Sequence, residues 1–306
     1  MRVPPSVPEG LIRTTIELRR TTGAGWLNRL PEIVARCEER WTLRVGPPFP
    51  ALSYNYAAPA TRADGTAAVV KLSFPDAGFR AEAEALRLFD GRGAVRLLEL
   101  DLDSGAMLLE RLEPGLPLTT VDNDDEATSI AADVLGQLWR PVPPEHAFPT
   151  VADWAHGLTR LRWNYGGGTG PLPAPLIERA EALFAELLTS QAEPVLLHGD
   201  LHHLNVLSAS REPWLAIDPK GVVGEPAYDV GALLRNPAEL LDTPRPGKTL
   251  ERRLDQLSEQ LGLDRARVAR WGMSQAVLAA YWGWEDGGHV WHEALAFAEL
   301  LAAIRV

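Results

Sequence analysis

This sequence predicts a two-lobed α+β fold, in which a small antiparallel-sheet lobe with one helix precedes a larger, mainly α lobe. Three observations support it. The chain has 306 residues and 46% hydrophobic content, enough for a sizeable core and more than one compact domain usually holds. Between Trp41 and Leu112 short apolar runs alternate with turn residues, as in strands joined by hairpins. Beyond Pro117 the apolar spacing lengthens to that of amphipathic helices. We place the lobes at 1–112 and 113–306, with a hinge at about 110–117.

From Trp41 to Leu72 the turn signals are Gly46-Pro47-Pro48 and Asp64-Gly65, and the second separates Tyr54–Ala58 from Ala67–Leu72. A helix follows with Phe79, Ala83, Leu86 and Phe89 on one face, and Gly91-Arg92-Gly93 breaks it. Two further strands fit Val95–Leu100 and Met107–Leu112, after which Pro114-Gly115-Leu116-Pro117 reads as a connector. Asn123 and the acids Asp124, Asp125 and Glu126 then supply a cap and an acidic first turn for a helix on Ile130, Val134, Leu135 and Leu138. A glycine-rich stretch, Tyr165 to Pro171, precedes a helix on Leu176, Ile177, Ala180, Leu183, Phe184 and Leu187. No strand feeds that stretch and no Gly-Lys-Ser/Thr follows it, so it reads as a linker and not as a phosphate loop. Later helices fit Pro226–Arg235, Leu250–Leu261, Arg265–Tyr281 and Val290–Ile304.

Composition narrows the class. Cys37 is the single cysteine, so an internal disulfide and a cysteine-based metal site are both excluded. Met1–Pro5 carries no apolar run of the signal-peptide kind, and no stretch reaches the roughly 18 apolar residues of a membrane span, so a cytoplasmic protein is expected. Residues 1–112 hold 14 acidic and 15 basic side chains, whereas 113–306 hold 27 and 15, or about +1 against −12. An acidic second lobe disfavours nucleic acid and attracts cationic partners. Only Lys71, Lys220 and Lys248 are lysines, which makes each position informative.

The chemistry concentrates between Leu196 and Asp218. An apolar strand delivers His198-Gly199-Asp200, Asn205 follows the aspartate by five residues, and the apolar run Trp214-Leu215-Ala216-Ile217 ends in Asp218. Phosphoryl transfer needs a metal to bridge phosphate oxygens, a cation to orient them and a carboxylate facing the acceptor hydroxyl. Asp200 fits the carboxylate; Asn205 and Asp218 supply the hard oxygen ligands that Mg²⁺ prefers. Lys71 closes an apolar strand of the first lobe and would reach nucleotide phosphates, with Glu82 on the next helix as its partner and Glu84 as a substitute. Singly, such residues are ordinary caps and surface charges; their joint order is what carries the reading.

These residues resemble the aminoglycoside phosphotransferase superfamily, within the protein-kinase-like fold, and in particular its streptomycin 6-phosphotransferase and hydroxyurea-resistance kinase branch. The resemblance runs from about residue 20 to 290 and includes Val70-Lys71-Leu72, Met107 to Leu112, Glu212 to Pro219 and Trp284-Glu285-Asp286-Gly287. It implies ATP and Mg²⁺ as cofactors, Asp200 as the catalytic aspartate, Asn205 and Asp218 as metal ligands, and Lys71 with Glu82 as the phosphate-orienting pair. It also implies a hinge at Glu110 to Leu112 that meets adenine through backbone groups. The loop Phe49 to Asn55 departs from protein kinases in lacking glycine, so phosphate contacts there would fall to Ser53 and nearby amides. Gly199 stands where protein kinases carry arginine, and the path from Asp218 to Asp229 is too short for a peptide-docking segment. A small-molecule acceptor follows. Asp229 is expected to brace the catalytic loop.

For the acceptor, Tyr281 to His289 groups aromatic, acidic and glycine residues, and Trp282, Glu285 and Asp286 are the candidates to stack on and pair with a cation. The plainer reading makes the tryptophans core and the acids a solvated helix end. A streptomycin-type aminoglycoside is the expected acceptor, with hydroxyurea or a fructosamine-like metabolite as alternatives. Two rival classes remain: a zinc hydrolase built on His198, Asp200, His202 and His203 with His289 and His292, and a pseudokinase-like binding module. The first leaves Lys71, Asn205 and Asp218 without roles, and the second requires a lost ligand although all are present.

Overall fold

The computed structural model describes residues 7–50 and 52–305; Met1–Pro5 and Ala51 of the glycine-free loop therefore lie outside the described residues. The chain divides into two compact units, one formed by residues up to Gly91 with Val95–Glu113, the other by Arg92–Ala94 and the chain from Pro114 onward. No helix among the described residues is long and apolar enough to cross a membrane.

The first unit opens on a helix that the sequence reading did not foresee, α1 (Glu9–Arg40), interrupted at Arg20 where φ is 47°. Its signal was present: Trp26, Leu30, Ile33, Val34 and Cys37 recur at helical spacing and are all buried. Burial, reinforced by the charge of Asp101, pushes the Cys37 thiol up to about 12, which makes it an inert packing group. There follow β1 (Leu43–Val45), β2 (Tyr56–Arg62), β3 (Ala67–Leu72), α2 (Ala77–Phe89), β4 (Leu97–Asp101) and β5 (Ala106–Glu110). The strands form one antiparallel sheet in the order β1-β2-β3-β5-β4. Alternation along β2 and β3 sends Tyr56, Ala58, Ala60, Ala68, Val70 and Leu72 into a core shared with α1. The Asp76 carboxylate caps α2 by accepting from Phe79 N at 3.1 Å, and Phe79, Ala83, Leu86 and Phe89 are buried.

The second unit contains β6 (Pro114–Pro117), α3 (Asp124–Leu138), α4 (Val151–Asn164), α5 (Ala174–Thr189), β7 (Val195–Leu197), β8 (Val206–Ala209), β9 (Trp214–Ala216), β10 (Val222–Gly224), α6 (Pro226–Asp229), α7 (Gly231–Leu234), α8 (Pro246–Leu261), α9 (Arg265–Gly287) and α10 (His292–Ala303). The expected connector is thus an edge strand: β6 pairs with β8, and Leu116 N donates to Ser208 Oγ at 2.9 Å. Its prolines hold the backbone extended, and an edge position tolerates their missing N–H groups. Asn123 caps α3 as expected, accepting from Asp125 N and Glu126 N. Thr150 and Asp153 form a reciprocal capping box on α4, which was not foreseen. The glycine-rich stretch is a fastened turn between α4 and α5. Gly167 N donates to Arg162 O at 2.8 Å, and the Arg162 guanidinium returns to Gly167 O while gripping Glu181. Buried α9 is the hub, touching α4, α5, α6, α7, α8 and α10.

One buried carboxylate sets the loop after β7. Asp229, fully buried at the end of α6, accepts from His198 N at 2.9 Å, Gly199 N at 2.7 Å and Trp139 Nε1 at 3.2 Å. Gly199 has φ +86°, and a Cβ there would lie 2.8 Å from Trp154 and 2.9 Å from Val222, so glycine is required twice over. Burial pushes the Asp229 carboxyl up to about 6, against three donors that favour its ionised form. Asp229→Asn turns one acceptor oxygen into an NH₂ donor facing a buried N–H. We expect a loss of about 1–3 kcal/mol in urea unfolding, the cost of a buried unsatisfied donor; an unchanged midpoint would remove the clamp.

Candidate active site

His198, Gly199 and Asp200 leave β7 in a loop whose backbone is stitched to the strand returning through Asp218. His198 is buried, with Nε2 2.8 Å from Ile217 O and Nδ1 accepting from Asp200 N at 3.2 Å. Nε2 is therefore the protonated nitrogen, and burial pushes the ring down to about 4, so it stays neutral. Lys220 N donates to His198 O at 2.7 Å and Ile217 N to Asn205 O at 2.9 Å. These bonds bring Asn205 and Asp218 beside the Asp200 loop.

The Asp200 side chain is about a quarter exposed, at 26%. Oδ1 accepts from Arg235 Nη2 at 2.9 Å, and Oδ2 lies 3.8 Å from His202 Nε2. Burial alone would raise this carboxyl, but Arg235, then Lys220 and the neighbouring histidines, hold it below the usual carboxylate range. It is ionised at neutral pH. Asn205 is buried, and its Nδ2 donates to Asp200 O at 3.0 Å. That bond turns the amide so that Oδ1 is the atom suited to a hard cation. Asp218 adopts φ +58°, a left-handed conformation that aspartate tolerates better than most residues. An amide oxygen and a carboxylate are hard donors of the kind Mg²⁺ prefers, so Asn205 and Asp218 could hold the ion that the sequence implies.

In the first unit Lys71 and Glu82 are both buried and form an ion pair. Lys71 lies on the face of β3 opposite to Val70 and Leu72, in register with Ala57 and Met107, and Glu82 lies on the buried face of α2. At the end of β5, Glu110 N donates to Arg96 O at 2.9 Å and its carboxylate accepts from Arg96 N at 3.1 Å. Leu112 beyond it is buried, whereas Ser53 is exposed in the bend before β2.

The expected acceptor residues fall near the end of α9. Trp282 packs edge-on against Trp154 of α4 at 5.3 Å, and Trp154 is the ring that abuts Gly199. Glu285 is bidentate to Arg160, with both contacts at 2.9 Å, and accepts from Tyr281 Oη at 2.9 Å. Arg160 keeps its carboxyl low. Asp286 is exposed on the next position. An open groove of about 500 Å³ is lined by Asn164, Tyr165, Tyr281, Trp284, Glu285 and Gly288. Neither Arg160 nor Trp154 was singled out from sequence, because each stands on α4, which like α1 was not foreseen.

Arg235 was also missed. It closes the buried run Ala232-Leu233-Leu234, and an arginine ending such a run was the available signal. The zinc arrangement does not assemble: His198 has one ring nitrogen on Ile217 O and the other on Asp200 N, and both ring nitrogens of His203 are buried, its ring lining a small cavity with Thr128 and Arg253. Among the described residues no group of three or more His, Cys, Asp or Glu is placed to hold a metal.

Comparison with known proteins gives the family. The family model described as aminoglycoside/hydroxyurea antibiotic resistance kinase matches residues 48–287. The chain is 36% identical to a streptomycin 6-kinase of Streptomyces griseus, over 92% of each protein. It is 36% identical to a hydroxyurea phosphotransferase of Kitasatospora aureofaciens, over 92% of this chain and 81% of that one. Among solved structures, an aminoglycoside phosphotransferase in ternary complex with ADP and hygromycin B aligns with TM-score 0.62 at 12% identity, covering 89% of this chain and 97% of that one, which shows the protein-kinase-like fold. A family-model match over residues 48–287, together with 36% identity to a streptomycin 6-kinase over 92% of each protein, makes this protein a phosphotransferase of the aminoglycoside/hydroxyurea antibiotic resistance kinase family.

Proposed function

We propose that this phosphotransferase moves the γ-phosphoryl group of ATP, with Mg²⁺, onto a hydroxyl of a streptomycin-type aminoglycoside. The observation that carries the reading is the Asp200 carboxylate, ionised, partly exposed and held at one oxygen, beside Asn205 and Asp218 on one stitched loop. Asp200 accepts and orients the hydroxyl for in-line attack. Asn205 and Asp218 hold Mg²⁺, which when bound neutralises charge on the phosphate oxygens. Lys71, braced by Glu82, orients the nucleotide phosphates; Ser53 and backbone groups of Glu110 to Leu112 would contact phosphate and adenine respectively. The added phosphate brings negative charge and bulk to a cationic drug, which spoils its fit to an anionic target and gives resistance.

Two features support a cationic acceptor: the balance of about −12 over residues 113–306, and the aromatic and acidic groove around Trp284 and Glu285. Trp282, Glu285 and Asp286 remain our acceptor residues. Glu285 is already paired, so an acceptor cation reaching it has to compete with Arg160. Hydroxyurea is kept as the second reading because a hydroxyurea phosphotransferase is as similar as the streptomycin kinase, at 36% each.

Acceptor-dependent release of nucleoside diphosphate, measured against streptomycin, other aminoglycosides, hydroxyurea and simple sugars, separates the readings. Streptomycin is expected to give the highest kcat/KM; no signal above the acceptor-free rate with it leaves only a small-molecule kinase. Asp200→Asn keeps an acceptor for Arg235 while removing the charge, and should lower kcat by at least about a hundredfold with nucleotide binding retained. Wild-type turnover in that variant removes the assignment. Asp218→Ala should weaken nucleotide binding about tenfold or more with Mg²⁺ present and little in its absence. ATP titrations that are the same with and without the substitution argue against the metal role.

A further inference from the structure

We propose that Arg235 is a positioning residue that fixes the Asp200 carboxylate, holding Oδ1 so that Oδ2 is the oxygen presented to the acceptor hydroxyl. This rests on the reading of Asp200 as the hydroxyl-orienting group. Asp200 stands on a loop, and its side chain has two free rotors; the contacts to Asp229 fix only the backbone before it. Arg235 supplies the missing restraint. Its Nη2 donates to Asp200 Oδ1 at 2.9 Å and its Nη1 to Gln275 Oε1 at 2.9 Å. Its guanidinium also lies over the Trp291 ring, 5.7 Å from the centroid.

The anchor is itself anchored. Arg235 is 4% and Gln275 1% exposed, and Gln275 Nε2 reaches Tyr228 O at 3.4 Å from within the hub helix α9. A planar guanidinium gripped at two nitrogens cannot swing, so the oxygen it holds cannot either. Burying a guanidinium is unfavourable unless a charge or hydrogen bond compensates it, and the carboxylate compensating this one is Asp200. An arginine serving only to join α7 to α9 would have no need to spend its ion pair on a partly exposed carboxylate of the catalytic loop.

Steady-state kinetics of Arg235→Gln, Arg235→Lys and Gln275→Ala test this, with thermal unfolding of each as the control for folding. We expect Arg235→Gln to lower kcat about a hundredfold, the typical cost of a misplaced catalytic group. KM for nucleotide and acceptor should stay within about threefold, and Arg235→Lys, which keeps the cation, should recover about tenfold of the loss. A folded Arg235→Gln protein with wild-type kcat overturns the proposal, as does an equal loss in the glutamine and lysine variants. Should Arg235→Gln not fold, Gln275→Ala decides: a kcat lowered about fivefold at unchanged KM supports positioning, and an unchanged kcat overturns it. Asp200→Asn separates the two levels. If that variant keeps full turnover, the reading of Asp200 fails; if it loses turnover while Arg235→Gln does not, only the positioning role fails.

Discussion

The carboxylate of Asp229 is the constraint on which the second unit's chemistry depends. Both of its oxygens are committed, two bonds going to the consecutive amides of His198 and Gly199 and one to an indole. Consecutive N–H groups aimed at one carboxylate require a tight backbone turn, and here the turn is completed by a left-handed glycine with no room for a side chain. The same clamp therefore dictates Gly199, the packing of Trp154 against it and the exit direction of Asp200. It also explains why this position carries a buried acid despite the cost of burying charge: no neutral side chain of that length accepts three donors.

From that clamp the order spreads by backbone bonds. His198 reaches forward to Ile217 O, Ile217 N reaches back to Asn205 O, and Lys220 N closes on His198 O. Asn205 and the backbone of the His198–Asp200 and Ile217–Lys220 segments are thereby held by main-chain bonds, while the Asp200 side chain is held by its ion pair with buried Arg235. The backbone part of this arrangement does not depend on the charge state of Asp200, because its bonds from Ile217 and Lys220 run between main-chain groups. The left-handed backbone at Asp218 is a local cost carried by this stitching.

Much of this was legible in the sequence, for identifiable reasons. Period-two runs gave the strands of the first sheet, and Asn123 with three following acids gave the start of α3, because both signals are local. The order of Lys71, Asp200, Asn205 and Asp218 gave the reaction class because phosphoryl transfer needs those groups whatever their surroundings. What escaped were features decided by tertiary packing. Helix α1 has a kink and an internal proline that blur its period, and β6 is made of residues that usually mark a connector. Arg235 and Arg160 looked like two among 27 arginines, since nothing local distinguishes an arginine that will meet the Asp200 or Glu285 carboxylate from one that meets solvent.

The acceptor end of the second unit follows the same division between local and non-local information. Glu285 and Asp286 announce negative charge, yet the structure gives Glu285 to Arg160 and Tyr281, so the net attraction of this groove for a cation is weaker than its acids suggest. A bidentate guanidinium–carboxylate pair on a partly exposed surface is also modest in strength, which makes it exchangeable. An incoming guanidinium or ammonium can replace Arg160 at little net change in charge, provided the aromatic surface of Trp284 and Tyr165 contributes the remaining affinity. On the proposed reading, discrimination among cationic acceptors would then lie less in the carboxylate, which any cation satisfies, than in the shape of the rings beside it. Trp282 extends that shape inward, because its partner Trp154 rests on Gly199, so the proposed acceptor surface is packed, ring on ring, against the turn that precedes Asp200.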